Sequence, residues 1–315
     1  MTLIEEMINQ YNPETSDETK AVLKEILQSI VLIGLSRGGF FNKASFYGGT
    51  ALRIFYGLNR FSEDLDFTLH QKDENFNFEQ YFKVISEVAL SYGLELEISS
   101  KSKKADTPIE SAFAKLNTYQ TLINLKINSN LTKFLHKDEL MKVKFEVDCN
   151  PSVGFNVESK WLDNPEFALV SVLDQPSLFA GKIHAILCRT YKNNVKGRDY
   201  YDFLFYIKKR IKPNMEYLKN KLIDTGKLGV DDEFNIEVLN IQWNVIKKEI
   251  SNNDELNNVN GETNNISISK YKMLIEKIET VDFNKIKYDA QKFLFINENL
   301  DYFSKELFID MINKL

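Results

Sequence analysis

The stretch of residues 47–69, YGGTALRIFYGLNRFSEDLDFTL, decides the fold class of this chain. It opens with Gly48 and Gly49, and a glycine pair permits a tight turn and close approach of the backbone. Thr50 is expected to N-cap a short helix made of good helix formers. The apolar and polar residues of 64–69 alternate, which predicts a β-strand. The stretch is therefore predicted to form a strand–turn–helix–loop–strand unit.

Two carboxylates mark the predicted strand. Asp64 and Asp66 are two residues apart, so their side chains share one face of the strand. At about 6 Å and an effective dielectric constant near 20, they repel by roughly 3 kcal/mol. Solvent, basic groups or a divalent cation can offset this repulsion, and Mg²⁺ binds carboxylates while keeping water and substrate phosphates as further ligands.

The glycine turn and the helix N-terminus upstream offer free N–H groups to an anion. A lone D-x-D is usually a solvated strand end, and a lone G-G-T is usually a plain turn. Both features occur here within one short unit, with Arg60 and Ser62 between them. This combination is much more specific than either feature alone, and it indicates a metal–nucleotide site.

The pattern G-G-T-A-L-R…Y-G-L-x-R-x-S-E-D-L-D-F resembles the first motif of the AbiEii family of nucleotidyltransferase-like toxins, which belongs to the DNA polymerase β-type nucleotidyltransferase superfamily. The match is unbroken over residues 47–67. The resemblance implies an α/β (α+β) fold, with a polymerase β-like core on a mixed sheet and a helical C-terminal lobe. We expect residues 1–175 to form the nucleotidyltransferase-like domain and residues 176–315 to form the helical domain.

Residues 140–149 are predicted to form another strand, with two lysines, Glu146 and Asp148 on one face. Polymerase β-like sites usually carry a third carboxylate on a neighbouring strand. Either Glu146 or Asp148 can supply it, and the family resemblance favours Glu146. The alternative is an edge strand whose mixed charges face water. A further strand is predicted over residues 119–127.

Residues 179–185, FAGKIHA, resemble a later family motif on a predicted helix. Lys182 has small and apolar neighbours there, which is an unusual setting for a solvated lysine. The resemblance implies that Lys182 faces the nucleotide phosphates, where it would neutralise charge on the leaving pyrophosphate. His184 lies about 200° around the helix from Lys182, which indicates packing rather than acid–base chemistry.

Residues 196–203, KGRDYYDF, have a purely structural interpretation. Gly197 breaks the chain, Asp199 caps a new helix, and the helix dipole favours Asp202 in the first turn. The segment also resembles the last characteristic family motif, in which the first aspartate is functional. We therefore expect Asp199 to be functional, Arg198 to bind phosphate or that aspartate, and Asp202 to be mainly structural.

These patterns predict a metal-dependent nucleotidyltransferase that moves a nucleoside monophosphate from an NTP to an acceptor hydroxyl, with one or two Mg²⁺ ions as cofactor. The resemblance implies a toxin that acts on the tRNA 3′ end and has a cognate antitoxin protein. The expected catalytic residues are Asp64, Asp66, Glu146, Lys182 and Asp199. The expected nucleotide-binding residues are Gly48, Gly49, Thr50, Arg60, Ser62, Lys182 and Arg198, and the expected metal ligands are Asp64, Asp66 and Asp148.

Composition and charge indicate which partners and which cellular location to expect. The net charge of −5 gives no global sign of nucleic-acid binding, so RNA contact needs a local basic patch, for which the lysine-rich helices predicted after residue 203 are candidates. The two cysteines match no metal or redox motif, and the three histidines are too scattered to indicate a zinc site. No signal peptide or bilayer-spanning run is evident, so a cytoplasmic protein without a membrane partner is expected. The Asn-rich residues 251–265 are predicted to be a linker.

Two alternative functions stay open at this point. One is a superfamily enzyme that modifies a small molecule or a protein, as antibiotic nucleotidyltransferases do. The other is a non-catalytic nucleotide-binding module, although the joint presence of Asp64, Asp66, Lys182 and Asp199 argues against it. The choice of NTP is not encoded in any recognisable pattern.

Overall fold

The computed structural model describes residues 2–101, 108–125, 136–189, 196–229, 274–294 and 299–313, and the structural statements below concern these residues. The chain forms two compact units. The first comprises Met1–Pro151 and Val157–Leu173, and the second comprises Ser152–Asn156 and Asp174–Leu315. No described helix is both long enough and apolar enough to cross a membrane. The predicted linker at 251–265 lies outside the described residues.

The first unit alternates helices and strands. Its helices are α1 (Leu3–Gln10), α2 (Ser16–Arg37), α3 (Gly48–Tyr56), α4 (Glu79–Ser91) and α5 (Thr118–Asn124). Its strands are β1 (Ala44–Tyr47), β2 (Asp64–Leu69), β3 (Glu97–Lys101), β4 (Ile109–Asn117), β5 (Leu140–Asp148), β6 (Val157–Leu162) and β7 (Ala168–Leu173).

The described strands form one mixed sheet in the order β3-β4-β5-β2-β1-β7-β6. Strand β2 lies at its centre, antiparallel to β1 and parallel to β5. Strands β1 and β7 are also parallel, whereas the outer pairs are antiparallel. A mixed sheet combined with helices confirms the predicted α/β (α+β) fold class.

The two faces of the sheet differ in polarity because alternate residues of a strand point to opposite sides. One face is apolar, and the side chains of Phe46, Phe67 and Phe145 on it are fully buried. Helix α2 contacts β5 and β7, and α4 packs against α2. The opposite face is polar and carries Asp66 and Glu146, both partly exposed. The apolar face supplies the core, so the polar face is left for chemistry.

The second unit is helical in its described part. It contains α6 (Gln175–Cys188), α7 (Gly197–Lys208), α8 (Met215–Asp224), α9 (Phe283–Gln291) and α10 (Lys305–Asn313), and residues 274–279 are also helical. Phe179 of α6 stacks on Tyr206 of α7 with ring centroids 4.5 Å apart. Helix α6 begins where Asp174 accepts a hydrogen bond from the Ser177 amide at 2.9 Å, with a proline in its first turn.

One strand prediction was wrong, because residues 118–124 form helix α5 rather than part of a strand over 119–127. The Asn117 carboxamide accepts a hydrogen bond from the Gln120 amide at 2.8 Å, which starts the helix. The neighbouring strand is instead β4, whose residues alternate between partly exposed and buried over nine positions. It pairs with β5 along its whole length.

Two predicted helix caps also differ from the structure. Helix α3 begins at Gly48 with Tyr47 at its N-cap, two residues before the predicted cap at Thr50. Helix α7 begins at Gly197 with Lys196 at its N-cap, so Gly197 does not break the chain and Asp199 lies inside the first turn. In both places a glycine starts the helix where another part of the chain approaches closely. The predicted stop of α3 at a glycine is present, since Gly57 has φ = +77°.

Gly197 is required by packing. A methyl group at this position would overlap the backbone carbonyl of Ile286 in α9. We predict that Gly197→Ala lowers the free energy of unfolding by about 1–3 kcal/mol, because backbone cannot move aside as a flexible side chain can. Urea denaturation measures the effect.

Gly181→Ala is the matched control, because a methyl group at this position in α6 meets no described atom within 4 Å. It should raise the free energy of unfolding by about 0.5–1 kcal/mol through helix propensity. Equal stability of the two variants would contradict the packing explanation.

Candidate functional site

The glycine turn with which α3 begins, directly after β1, lies against the carboxylate of Asp66. Gly48 has φ = +84°, and a Cβ at this position would lie only 2.5 Å from Oδ2 of Asp66. Both the conformation and the space therefore require glycine. Of the two predicted acids, Asp66 therefore has its carboxylate close to the glycine turn. An anion bound by the N–H groups of the turn would lie close to this carboxylate.

Arg60 and Ser62 surround the second glycine of the turn. A Cβ at Gly49 would lie 2.5 Å from Nη2 of Arg60 and 3.1 Å from Oγ of Ser62. Arg60 is 1% exposed and donates a hydrogen bond from Nη1 to the carbonyl of Phe61 at 2.9 Å. Gln28 of α2 donates to the carbonyl of Ser62 at 3.0 Å. The loop before β2 is thus fixed beneath the turn, with a buried positive charge at the start of α3.

Thr50 connects α3 to β2. It is 1% exposed, and its hydroxyl donates a hydrogen bond to the backbone carbonyl of Asp64. This contact ties the first turn of the helix to the start of the strand that carries both aspartates. The hydroxyl thus has a structural partner, whereas the backbone N–H groups of the turn are the better candidates for phosphate contact.

Strand register places Glu146 next to Asp66. In the parallel pairing of β2 with β5, Asp66 lies opposite Glu146, whereas Asp148 lies opposite Thr68. Two residues along a strand amount to about 6.6 Å, so Asp148 is one full repeat farther from Asp66 along the sheet. Sequence reasoning left the choice between Glu146 and Asp148 open, and the register favours Glu146 as the carboxylate that accompanies Asp66.

Two neighbours hold the Glu146 carboxylate. Ser111 of β4 donates a hydrogen bond to Oε1 at 2.8 Å, and the Lys144 ammonium lies 2.6 Å from Oε2. Strand β5 has β4 on one side and β2 on the other. The alternative interpretation of this segment as an edge strand is therefore wrong. Its charges belong to the interior of the sheet, on the polar face.

The carboxylates on the polar face fit Mg²⁺, which needs few protein ligands, better than they fit a metal ion enclosed entirely by protein ligands. Among the described residues, no group of three or more His, Cys, Asp and Glu side chains is arranged to hold a metal ion. Two strand aspartates are what Mg²⁺ uses when water and substrate phosphates complete its octahedron. Asp64 and Asp66 lie in alternate positions of β2, and their chemistry fits such a substrate-assisted site.

In the second unit, Lys182 is bound by two aspartates of α7. Its ammonium lies 2.9 Å from Oδ1 of Asp199 and 2.8 Å from Oδ2 of Asp202. The side chains of Asp199 and Asp202 are 3% and 0% exposed, and that of Lys182 is 12% exposed. Arg189, at the end of α6, binds the other oxygen of Asp199. Two cations thus neutralise two buried carboxylates, and of these cations Lys182 is largely buried whereas the Arg189 side chain is 49% exposed.

Sequence reasoning missed part of this cluster. It assigned Asp202 to the helix dipole, but the Asp202 carboxylate contacts the lysine as closely as Asp199 does. Asp199 and Asp202 are three residues apart and so share a helix face, but which side chain meets that face depends on how the two helices pack. Arg189 makes an ion pair with Asp199, and the guanidinium of Arg198, which the sequence offered as a partner of phosphate or of that aspartate, lies 4.7 Å from the ring centre of Phe293.

His184 lies on the same helix as Lys182 and has a different environment. Its Nε2 atom is 3.1 Å from the hydroxyl of Thr225. Burial, followed by the positive charge of Lys221, lowers the pKa of His184 to about 4. The imidazole is therefore neutral at physiological pH, which agrees with a packing role.

Comparison with known proteins identifies the family of this chain. No curated protein sequence matches this chain. Among solved structures, it is similar to JHP933 from Helicobacter pylori, at 16% identity with 93% of this chain and 94% of that chain covered and a TM-score of 0.39. It is also similar to MenT4, a nucleotidyltransferase toxin from Mycobacterium tuberculosis H37Rv, at 17% identity, with 91% and 92% coverage and a TM-score of 0.43.

A family model described as the nucleotidyl transferase AbiEii toxin of a type IV toxin–antitoxin system matches residues 30–287. The match covers well over half of the chain. It includes the glycine turn, the paired aspartates of β2, and the Lys182 cluster. The chain therefore belongs to the AbiEii family of nucleotidyl transferase toxins.

Proposed function

We propose that this toxin transfers a nucleoside monophosphate from an NTP to the 3′ end of tRNA and releases pyrophosphate. Family membership supports the class of toxin nucleotidyltransferase. The observation that supports nucleotide transfer is the position of Asp66, which lies against the Gly48 turn and opposite Glu146 on the polar face of the sheet. An anion site and a pair of acids at one place are what metal-assisted nucleotide chemistry requires.

In this proposal, Asp64 and Asp66 hold one or two Mg²⁺ ions. A bound ion of this kind stabilises charge on the attacking and leaving oxygens. The N–H groups of Gly48 and Gly49 bind the β- and γ-phosphates, assisted by the partial positive charge at the start of α3. Buried Arg60 adds positive charge beside the same turn.

Glu146 would accept the proton of the acceptor hydroxyl. The Ser111 and Lys144 contacts fix its carboxylate on the polar face. A general base has to be oriented before the acceptor arrives, and these contacts provide that orientation. Asp148, one repeat along the sheet, would contribute less.

Lys182 would bind the triphosphate, and Asp199 and Asp202 would orient its ammonium. A lysine held at 2.9 and 2.8 Å by two buried carboxylates has little conformational freedom left. Such preorganisation lowers the entropy cost of binding a phosphate. Asp202 is then a positioning residue that acts through Lys182. A cognate antitoxin and a cytoplasmic location accompany the proposal, since the family is that of a toxin–antitoxin system.

The first prediction of the proposed function concerns the acceptor of the nucleoside monophosphate. The purified chain, incubated with total tRNA, Mg²⁺ and each α-labelled NTP in turn, should label tRNA with at least one NTP. Removing the terminal 3′-hydroxyl of tRNA by periodate oxidation should abolish labelling, because the attacking group is lost. Label that appears in small molecules or protein instead would support the alternative superfamily activity, and metal-independent or absent nucleotide binding would support a non-catalytic module.

The second prediction separates the carboxylates of the polar face. Asp66→Asn should reduce transfer at least about 1,000-fold, since a metal ligand is lost, and Glu146→Gln should reduce it about 100-fold or more. Asp148→Asn is the matched control and should stay within about ten-fold of the wild type, because its strand partner is Thr68 rather than an aspartate. Initial rates of label transfer measure all three. A larger loss in Asp148→Asn than in Glu146→Gln would contradict the assignment from register.

The third prediction concerns the Lys182 cluster. Lys182→Ala leaves two buried carboxylates without their shared cation and should lower the free energy of unfolding by about 3–5 kcal/mol. Asp202→Asn retains the pair with Asp199 and should cost about 1–3 kcal/mol. Urea denaturation measures both. Calorimetry on folded Lys182→Ala should then show weaker NTP binding, and unchanged affinity would contradict the phosphate role.

A further inference from the structure

Strand β6 is an edge strand with an unusual sequence. In the described part of the chain, β7 pairs with one side of β6 and no strand follows on the other side. Sheet edges are normally protected by proline, bulges or charged side chains, because open backbone groups pair with other strands. The segment 157–161, VESKW, contains no proline. The charge of Lys160 is already matched by Glu158, 3.2 Å away.

The exposed face of this hairpin is apolar. Val157 and Trp161 of β6 are 47% and 64% exposed, and Leu169 of β7 is 45% exposed. Phe167, in the connection between the two strands, is 77% exposed and packs edge-to-face with Trp161. Trp161, Phe167 and Leu169 thus lie together at one end of the hairpin, and Val157 lies on the same face of β6, opposite Leu173. Exposed apolar residues of this kind mark an interaction surface.

The order of side chains in β6 is symmetric about Ser159. Reading outward from Ser159, an acid and a base come first, and two apolar residues come next. When two copies of such a strand pair antiparallel with Ser159 opposite Ser159, Glu158 of each copy faces Lys160 of the other. Val157 then faces Trp161. Opposite charges and apolar pairs directly across strands are both stabilising.

Repulsion between like charges also disfavours the neighbouring registers of this antiparallel β6–β6 pairing. Shifting the pairing by two residues in either direction places Glu158 opposite Glu158, or Lys160 opposite Lys160. Like charges directly opposite each other destabilise a sheet. A shift by one residue would place the apolar face of one copy beside the polar face of the other. One register is therefore favoured over its neighbours.

We propose that β6 is a homodimer interface, in which the sheets of two copies join through antiparallel β6 strands centred on Ser159. The strand that pairs with β6 belongs to a second copy of the chain, because β6 is complementary to itself in charge and in apolar pairing. Tyr56 donates a hydrogen bond to Glu158 at 2.5 Å, and Lys160 lies 5.0 Å from the centre of the Tyr56 ring. These contacts hold both charges in place before the second copy arrives. The inference is independent of the proposed chemistry.

Sedimentation equilibrium of the full chain tests the interface. The wild type should reach twice the chain mass of 36.6 kDa as concentration rises, with a dissociation constant in the roughly micromolar range. Lys160→Glu and Glu158→Lys each create like-charge pairs and should weaken dimerisation about ten-fold or more. Lys83→Glu, which changes an 88% exposed lysine on α4, is the matched control and should dimerise like the wild type.

Two combinations restore complementarity. An equimolar mixture of Lys160→Glu and Glu158→Lys should form heterodimers, because every acid then faces a lysine of the other variant. The double variant Glu158→Lys/Lys160→Glu should dimerise with itself. Thermal denaturation confirms that each variant is folded. A single-chain mass for the wild type up to about 200 μM, or failure of both combinations to restore a dimer, would overturn the proposal.

Discussion

The close contact between the Asp66 carboxylate and the backbone of the Gly48 turn is the constraint on which the first unit depends. There is no space for a Cβ at this turn, since it would lie 2.5 Å from the carboxylate oxygen. The contact follows from the antiparallel pairing of β1 with β2, in which Tyr47 lies opposite Asp66. A helix N-terminus is thereby brought against an acidic strand. The opposing charges favour a cation and a phosphate at the same place, which is the physical basis of the proposed chemistry.

The burial of charged side chains is the second constraint, and it acts in the second unit. Moving ions out of water costs several kcal/mol each unless partners compensate. Lys182 meets that cost with two carboxylates, and Arg189 supplies the second cation, so the cluster is balanced in charge. A buried ion pair of this kind is weak evidence for net stability. The proposed role of Lys182 at the phosphates gives a reason for keeping four charged groups on α6 and α7 where apolar packing would serve stability equally well.

Charged side chains find their partners in different ways in the interior of the sheet and at its β6 edge. In the interior, the mixed charges of β5 have neighbours on both sides, and Lys144 and Ser111 satisfy Glu146. At the β6 edge, the charges of Glu158 and Lys160 satisfy each other, and the apolar residues beside them stay exposed. In the proposed homodimer, the self-complementary pattern of β6 would pair an edge that no described strand covers, and unpaired edges are otherwise an aggregation hazard.

The sequence by itself determined the unit from the glycine turn to the paired aspartates, because glycine geometry and strand alternation are local properties. It also determined the alternation of β5, with Glu146 and Asp148 on one face. It did not determine which of these two lies beside Asp66, because strand register depends on pairing between segments about 80 residues apart. Helix α5 was missed for a related reason, since the cap at Asn117 and the long β4–β5 pairing outweigh strand propensity. The tertiary structure alone decided that Asp202 binds Lys182, because burial turns a residue expected at a helix terminus into one half of an ion pair.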